Sequence, residues 1–125
     1  SLDATGKIPV GQLPDRYSAA MYPLYKSGSV TNGSLHIMRL WKQILRIDGI
    51  SLKCEVGTCS VVITVDGASA GSTYSVSATG SNQTFGTVIQ IDGSTAGKSI
   101  DITVTSASAN CVGLQVSLST ATLTI

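Results

Sequence analysis

The chain has 125 residues, 42% of them hydrophobic and 12% charged, with mean hydropathy +0.29 and net charge +1 at pH 7. That length suits one domain with a core of its own, and the near-neutral charge argues for neither a nucleic-acid nor a membrane partner. No stretch approaches the run of about 18 apolar residues of a membrane span, and no signal-peptide pattern appears.

Residues 1–30 read as an extended N-terminal arm or linker. Pro9, Pro14 and Pro23 punctuate it, each disfavouring helix at the preceding residue. The only helix that fits is a short one between Asp15 and Met21, with Asp15 as N-cap. Tyr17, Tyr22 and Tyr25 are three of the four tyrosines in the chain, and rings with polar tips favour interfaces. An arm this short cannot bury them alone, so it must lie on its own domain or on a neighbour.

Asn32-Gly33 is a turn signal, and from there to residue 125 the pattern alternates. Ser34 to Trp41 predicts a first strand. Gln43 to Glu55 predicts a second, with Ile50, Leu52 and Cys54 on one face and a bulge or bend at Asp48-Gly49. Thr58 to Asp66 follows, with Cys59, Val61, Ile63 and Val65 inward. Tyr74, Val76 and Ala78 form a short inward row, Thr84 to Ile91 another strand, and Ile100, Ile102 and Val104 a further inward face. A last strand or strand pair carries Val112, Leu114, Val116 and Leu118, then Leu123 and Ile125. Serine and threonine supply roughly a quarter of the residues, against ordinary usage in which neither dominates. Seven or eight short strands with Gly-rich turns predict an all-β, antiparallel, jelly-roll-like β-sandwich over residues 31–125. No stretch offers the helix that a parallel crossover needs.

Charge is uneven. Residues 1–53 carry a net +4 and residues 54–125 a net −3. Either these are solvated charges placed by chance, or the first part docks on an acidic neighbour such as an identical subunit.

Candidate chemistry is thin. Cys54, Cys59 and Cys111 include no CxxC pair, and His36 is the only histidine, so zinc is not expected. Cys54 and Cys59 flank a short loop and could pair, while parity places both inward as buried thiols. Asp48, Asp66 and Asp92 each precede a glycine and read as turn residues; no loop has the clustered oxygens that calcium prefers. Gly93-Ser94-Thr95-Ala96-Gly97-Lys98-Ser99 resembles a phosphate-binding loop, but it has three residues between its glycines and leads into a strand pattern rather than a helix. His36 sits in an alternating strand with no acid nearby in sequence. Trp41, beside Arg39 and Lys42, suits core or interface, or a surface stacking on a sugar. No catalytic residue, metal or other cofactor is expected, and an enzyme is not the reading.

Leu2-Asp3-Ala4-Thr5-Gly6-Lys7-Ile8-Pro9-Val10-Gly11-Gln12-Leu13-Pro14 resembles the LDAxGKIPxxQLP segment of tailed-bacteriophage virion proteins. That segment occurs in tail-fibre, head-fibre and decoration proteins, ahead of a β-rich domain. The resemblance implies a non-enzymatic structural protein on the phage particle surface, assembled in the host cytoplasm and commonly trimeric. Its partners would be the major capsid protein or a tail or fibre shaft. The favoured reading is a capsid-surface decoration or head-fibre protein. The alternative is a tail-fibre or spike module that binds a host-surface receptor or glycan. The arm would use Leu2, Ile8, Pro9, Val10, Leu13, Pro14, Tyr17, Tyr22 and Tyr25 for assembly, and Trp41 is the candidate for surface recognition. The first residue is not Met, which suggests processing or a piece of a longer protein.

Overall fold

A computed structural model describes residues 18–124. These residues form nine β-strands: β1 (Ser18–Ser29), β2 (Gly33–Leu40), β3 (Gln43–Lys53), β4 (Cys59–Val65), β5 (Ala68–Ser69), β6 (Tyr74–Val76), β7 (Ser81–Asp92), β8 (Lys98–Thr105) and β9 (Val112–Thr124). They make two antiparallel sheets. Sheet A has the order β1-β9-β3-β7, and sheet B the order β2-β8-β4, with β5 and β6 both pairing to the far side of β4. Except along β4, β5 and β6, each strand lies in the sheet opposite to its predecessor. This winding is a jelly roll, as the alternation predicts.

The two inward faces supply the core. From sheet A come Leu45, Ile47, Leu52, Leu114 and Leu118, and from sheet B come Leu40, Val61, Ile63, Ile100, Ile102 and Val104, all essentially inaccessible to water. In β3 a register shift between Ile47 and Gly49 sets Asp48 out of the pairing, so residues on both sides of it keep their apolar side chains inward. This is the bulge that Asp48-Gly49 suggested. A second shift lies in β2, where Ile37 is extra between His36 and Met38.

Several sequence expectations need correction. Residues 18–21 are strand, not the end of a short helix, and residues 18–29, placed with the arm by the sequence, are β1. Ala20, Tyr22 and Leu24 alternate toward the core while Ala19, Met21, Pro23 and Tyr25 point out. Pairing along the whole length of β9 outweighs the weak local preference for a helix. Pro23, read as a breaker, is tolerated because β1 is an edge strand. The C-terminal region is one long strand rather than a pair. Its polar step at Thr120 stays in the ladder because the buried hydroxyl donates to the Ala20 carbonyl at 2.9 Å. Ala78, expected in an inward row, is exposed beyond the end of β6.

β7 departs most from a regular strand. Between Gly49↔Thr84 and Ile47↔Ile89 it carries extra residues that β3 does not match. The surplus loops outward, and Phe85 stacks on Tyr74 with ring centroids 5.7 Å apart.

Candidate functional site

The β2–β3 turn projects Trp41 from one end of the sandwich. Leu40 is buried on one side of it, whereas Trp41 is 60% exposed, so the core reading of this tryptophan does not hold. Lys42 adopts φ +56, a left-handed conformation that closes the tight turn. The turn is pinned from behind: Lys42 N donates to Gly93 O and Gly93 N donates to Gln43 O, both at 2.9 Å. Gly93 is required there, because a Cβ would stand 2.9 Å from the Leu40 side chain and carbonyl. The Lys42 ammonium lies 4.5 Å from the centre of the Trp41 ring, a cation–π contact. The result is an exposed aromatic plate on a pinned turn with a positive charge on it, suited to stacking on a planar or sugar surface.

The second candidate is the outer face of sheet A. Rows of side chains cross it in register: Met21, Ser119, Gly49 and Thr84 in one, Pro23, Ser117, Ser51 and Asn82 in the next. The β3 bulge and the missing side chain of Gly49 leave a shallow trough of about 240 Å³, floored by serines and walled on one side by Met21. The most exposed large apolar groups of sheet A belong to β1, where Met21 and Tyr25 are 59% and 57% exposed. Tyr25 donates its hydroxyl proton to Glu55 at 3.2 Å. The Glu55 carboxylate, chiefly by its charge, raises the Tyr25 pKa above its ordinary value, since a phenolate would stand against a second anion. Tyr22 is turned the other way and packs against the core.

On the outer face of sheet B, His36 Nδ1 lies 2.7 Å from Asp101 Oδ1. The sequence hid this partner because register, not proximity along the chain, joins β2 to β8. Thr64, Thr103 and Ser34 continue the polar row through hydroxyl contacts of 3.0 and 3.1 Å. Arg39 donates to Ser99 at 2.8 Å. The pair lies on an open sheet surface, with the His36 side chain 58% exposed.

The remaining candidates resolve as structural. Asp92 Oδ1 accepts from Ser94 N at 2.9 Å, and that bonding lowers its pKa. Asp66 accepts from Ser99 N at 2.9 Å and sits 3.9 Å from Lys98. Asp66 and Gly67, with φ +50 and +87, form the tight hairpin turn between β4 and β5. Asp48 stands apart in the β3 bulge. Among the described residues no three His, Cys, Asp or Glu side chains are placed to hold a metal ion. Residues 93–97 connect β7 to β8, and Lys98–Thr105 is strand, so nothing there opens a helix for phosphate. The described cations of the first half do not form one patch: Arg39 is on sheet B, Lys42 in the β2–β3 turn, Arg46 on sheet A, and Lys26 and Lys53 at the opposite end. Cys54, Cys59 and Cys111 are all free and buried.

The assembly residues Leu2, Ile8, Pro9, Val10, Leu13, Pro14 and Tyr17 lie outside the described residues. Tyr22 and Tyr25 fall on opposite faces of β1, and Trp41 is remote in sequence but lies at the end where β1 begins. The serine-rich floor of sheet A escaped the sequence reading. Its only signal was small polar residues at alternate positions, such as Ser117 and Ser119.

Comparison with known proteins adds little. No protein-family profile matches the chain, and no curated protein matches it. Among solved structures, one similar chain comes from the extra small virus of the giant freshwater prawn Macrobrachium rosenbergii, determined as a virus-like particle. The two share 13% identity over 86% of this chain and 77% of that one, with a TM-score of 0.45.

Proposed function

We propose that this chain is a non-enzymatic structural protein of a tailed-phage virion, a capsid-surface decoration or head-fibre protein attached through its N-terminal segment. A jelly roll alone selects no function, because the fold serves capsid proteins, lectins and enzymes alike. The observation that carries the reading is the segment Leu2 to Pro14, which resembles virion appendage proteins and runs within a few residues into β1. β1 in turn exposes Met21, Pro23 and Tyr25 in one outward row. An apolar-spaced arm joined to an exposed apolar row is suited to bury both against neighbouring subunits, and a homotrimer is the assembly we favour.

Deleting residues 1–15 tests this. Purified full-length protein should bind capsids that lack it, and the truncated protein should fold but fail to bind. Attachment and oligomeric state unchanged by the deletion would overturn the reading. Labelled protein on imaged particles should decorate heads.

A second reading rests on Trp41. An exposed tryptophan on a rigid turn also suits a tail-fibre or spike module that stacks on a host-surface glycan. Label at the tail tip, with glycan binding lost in Trp41→Ala, would favour it.

A further inference from the structure

Three cysteines from three separate segments meet at the end of the sandwich opposite Trp41. Cys54 follows β3, Cys59 opens β4 and Cys111 precedes β9, and each is at most 3% exposed. The segments are locked together by the backbone. Thr58 N donates to Ser108 Oγ at 3.0 Å and Ser108 N donates to Thr58 O at 2.8 Å. Cys111 N closes the following turn on Ser108 O at 3.1 Å. Gly57 presses on the same turn: a Cβ on it would stand 2.7 Å from the nitrogen and Cα of Cys111. Cys59, at the start of β4, and Cys111, in the loop before β9, meet through their side chains, each within a residue or a turn of the Thr58–Ser108 clasp. Cys54 also lies against the Cys111 thiol, but its own thiol proton is given to Gly57 O at 3.2 Å.

We propose that Cys59 and Cys111 form an oxidative cross-linking site, a disulfide that ties sheet B to sheet A and leaves Cys54 as a thiol. The oxidant is a small-molecule disulfide of the glutathione type. One cysteine, as thiolate, attacks a sulfur of oxidised glutathione, forming a mixed disulfide and releasing one glutathione thiolate. The second cysteine thiolate then attacks the protein sulfur of that mixed disulfide and displaces the other glutathione. The cysteine pair loses two electrons and two protons, and two molecules of reduced glutathione carry them away.

Timing follows from the surroundings. Burial, and next to it the Cys111 thiol, push Cys59 up to about 12, so the closed fold holds almost no thiolate at neutral pH. Pairing belongs to the folding chain, before the cysteines are buried. Once made, the bond is shielded from reductant by the same burial. The site stands independently of the virion reading.

The test uses the full chain, unfolded in reductant and refolded in a buffer of oxidised and reduced glutathione. Free thiols are trapped by alkylation under acid denaturation, and the digest is mapped by mass spectrometry. The expected result is the Cys59 peptide joined to the Cys111 peptide, with Cys54 alkylated. Cys54→Ser should keep the link, and the oxidised protein should melt at a higher temperature than the reduced one. Three alkylated thiols, a persistent glutathione adduct, or a link that includes Cys54 would overturn the proposal.

Discussion

Pro23 stands opposite Ser117 on the outermost ladder of sheet A. A proline has no N–H to give, so it fits a regular strand only where that position faces away from its neighbour. Among the described residues β1 has β9 on one side only, and the proline is tolerated on its other side. The missing donor interrupts what would otherwise be a long template for pairing with another chain. At the other edge of sheet A, the surplus of β7 between Thr84 and Ile89 does the same by distortion. Pro23→Thr restores the donor without disturbing the pairing with β9. The variant should fold normally yet self-associate at concentrations where the parent does not, as measured by light scattering.

Gly57 and Gly67 both have positive φ, +82 and +87, but only Gly57 is crowded. Alanine at Gly67 meets open space and should cost about 1 kcal/mol, the price of a left-handed backbone. Alanine at Gly57 must in addition displace Ser108 and the Cys111 backbone, adding about 1–3 kcal/mol of overpacking. Urea unfolding of the two variants should separate them by that margin.

Tyr25 should titrate above its ordinary value in the folded protein, because Glu55 opposes the phenolate. The sign follows from that direction. The contribution is complete below the unfolded tyrosine pKa of about 10 and is lost as pH rises through the higher folded value. Ultraviolet titration should show a late tyrosine, and Glu55→Gln should lower its pKa.

Asp92 runs the other way. Its carboxylate is held below the ordinary value by bonding to Ser94. Its contribution is therefore present above the unfolded pKa of about 3.9 and disappears as pH falls through the lowered folded value. Asp92→Asn, which keeps an acceptor for Ser94 N but no titrating charge, should show a shallower loss of stability on acidification. The two proteins should converge in acid, as read from unfolding midpoints across the pH series.

The fold was readable because strand parity is a local property. Ile100, Ile102 and Val104 alternate with Asp101 and Thr103, and any sheet that buries one set must expose the other. The same logic placed Ile50, Leu52 and Cys54 inward and found the bulge at Asp48. What parity does not specify is the neighbour. The His36–Asp101 and Tyr25–Glu55 contacts join segments distant in sequence, and they follow from an arrangement that only the assembled sandwich sets. β1 was misplaced for a related reason: proline argues against a central strand but not against an edge, and edge position is a tertiary fact. Trp41 was read as core or interface because lone tryptophans bury large areas, whereas the turn that exposes it depends on Gly93, far along the chain.

The winding between the sheets has a temporal consequence. Among the described residues β1 hydrogen-bonds to no strand except β9, and β9 lies between β1 and β3. β1 must therefore wait for this partner until β9 has emerged from the ribosome. Topologies dominated by such distant pairings fold slowly, on the order of milliseconds to seconds. During synthesis the exposed Met21, Pro23 and Tyr25 row and the inward Ala20, Tyr22 and Leu24 row are equally open to strangers. In that interval the proline in β1 protects the nascent chain as well as the finished one.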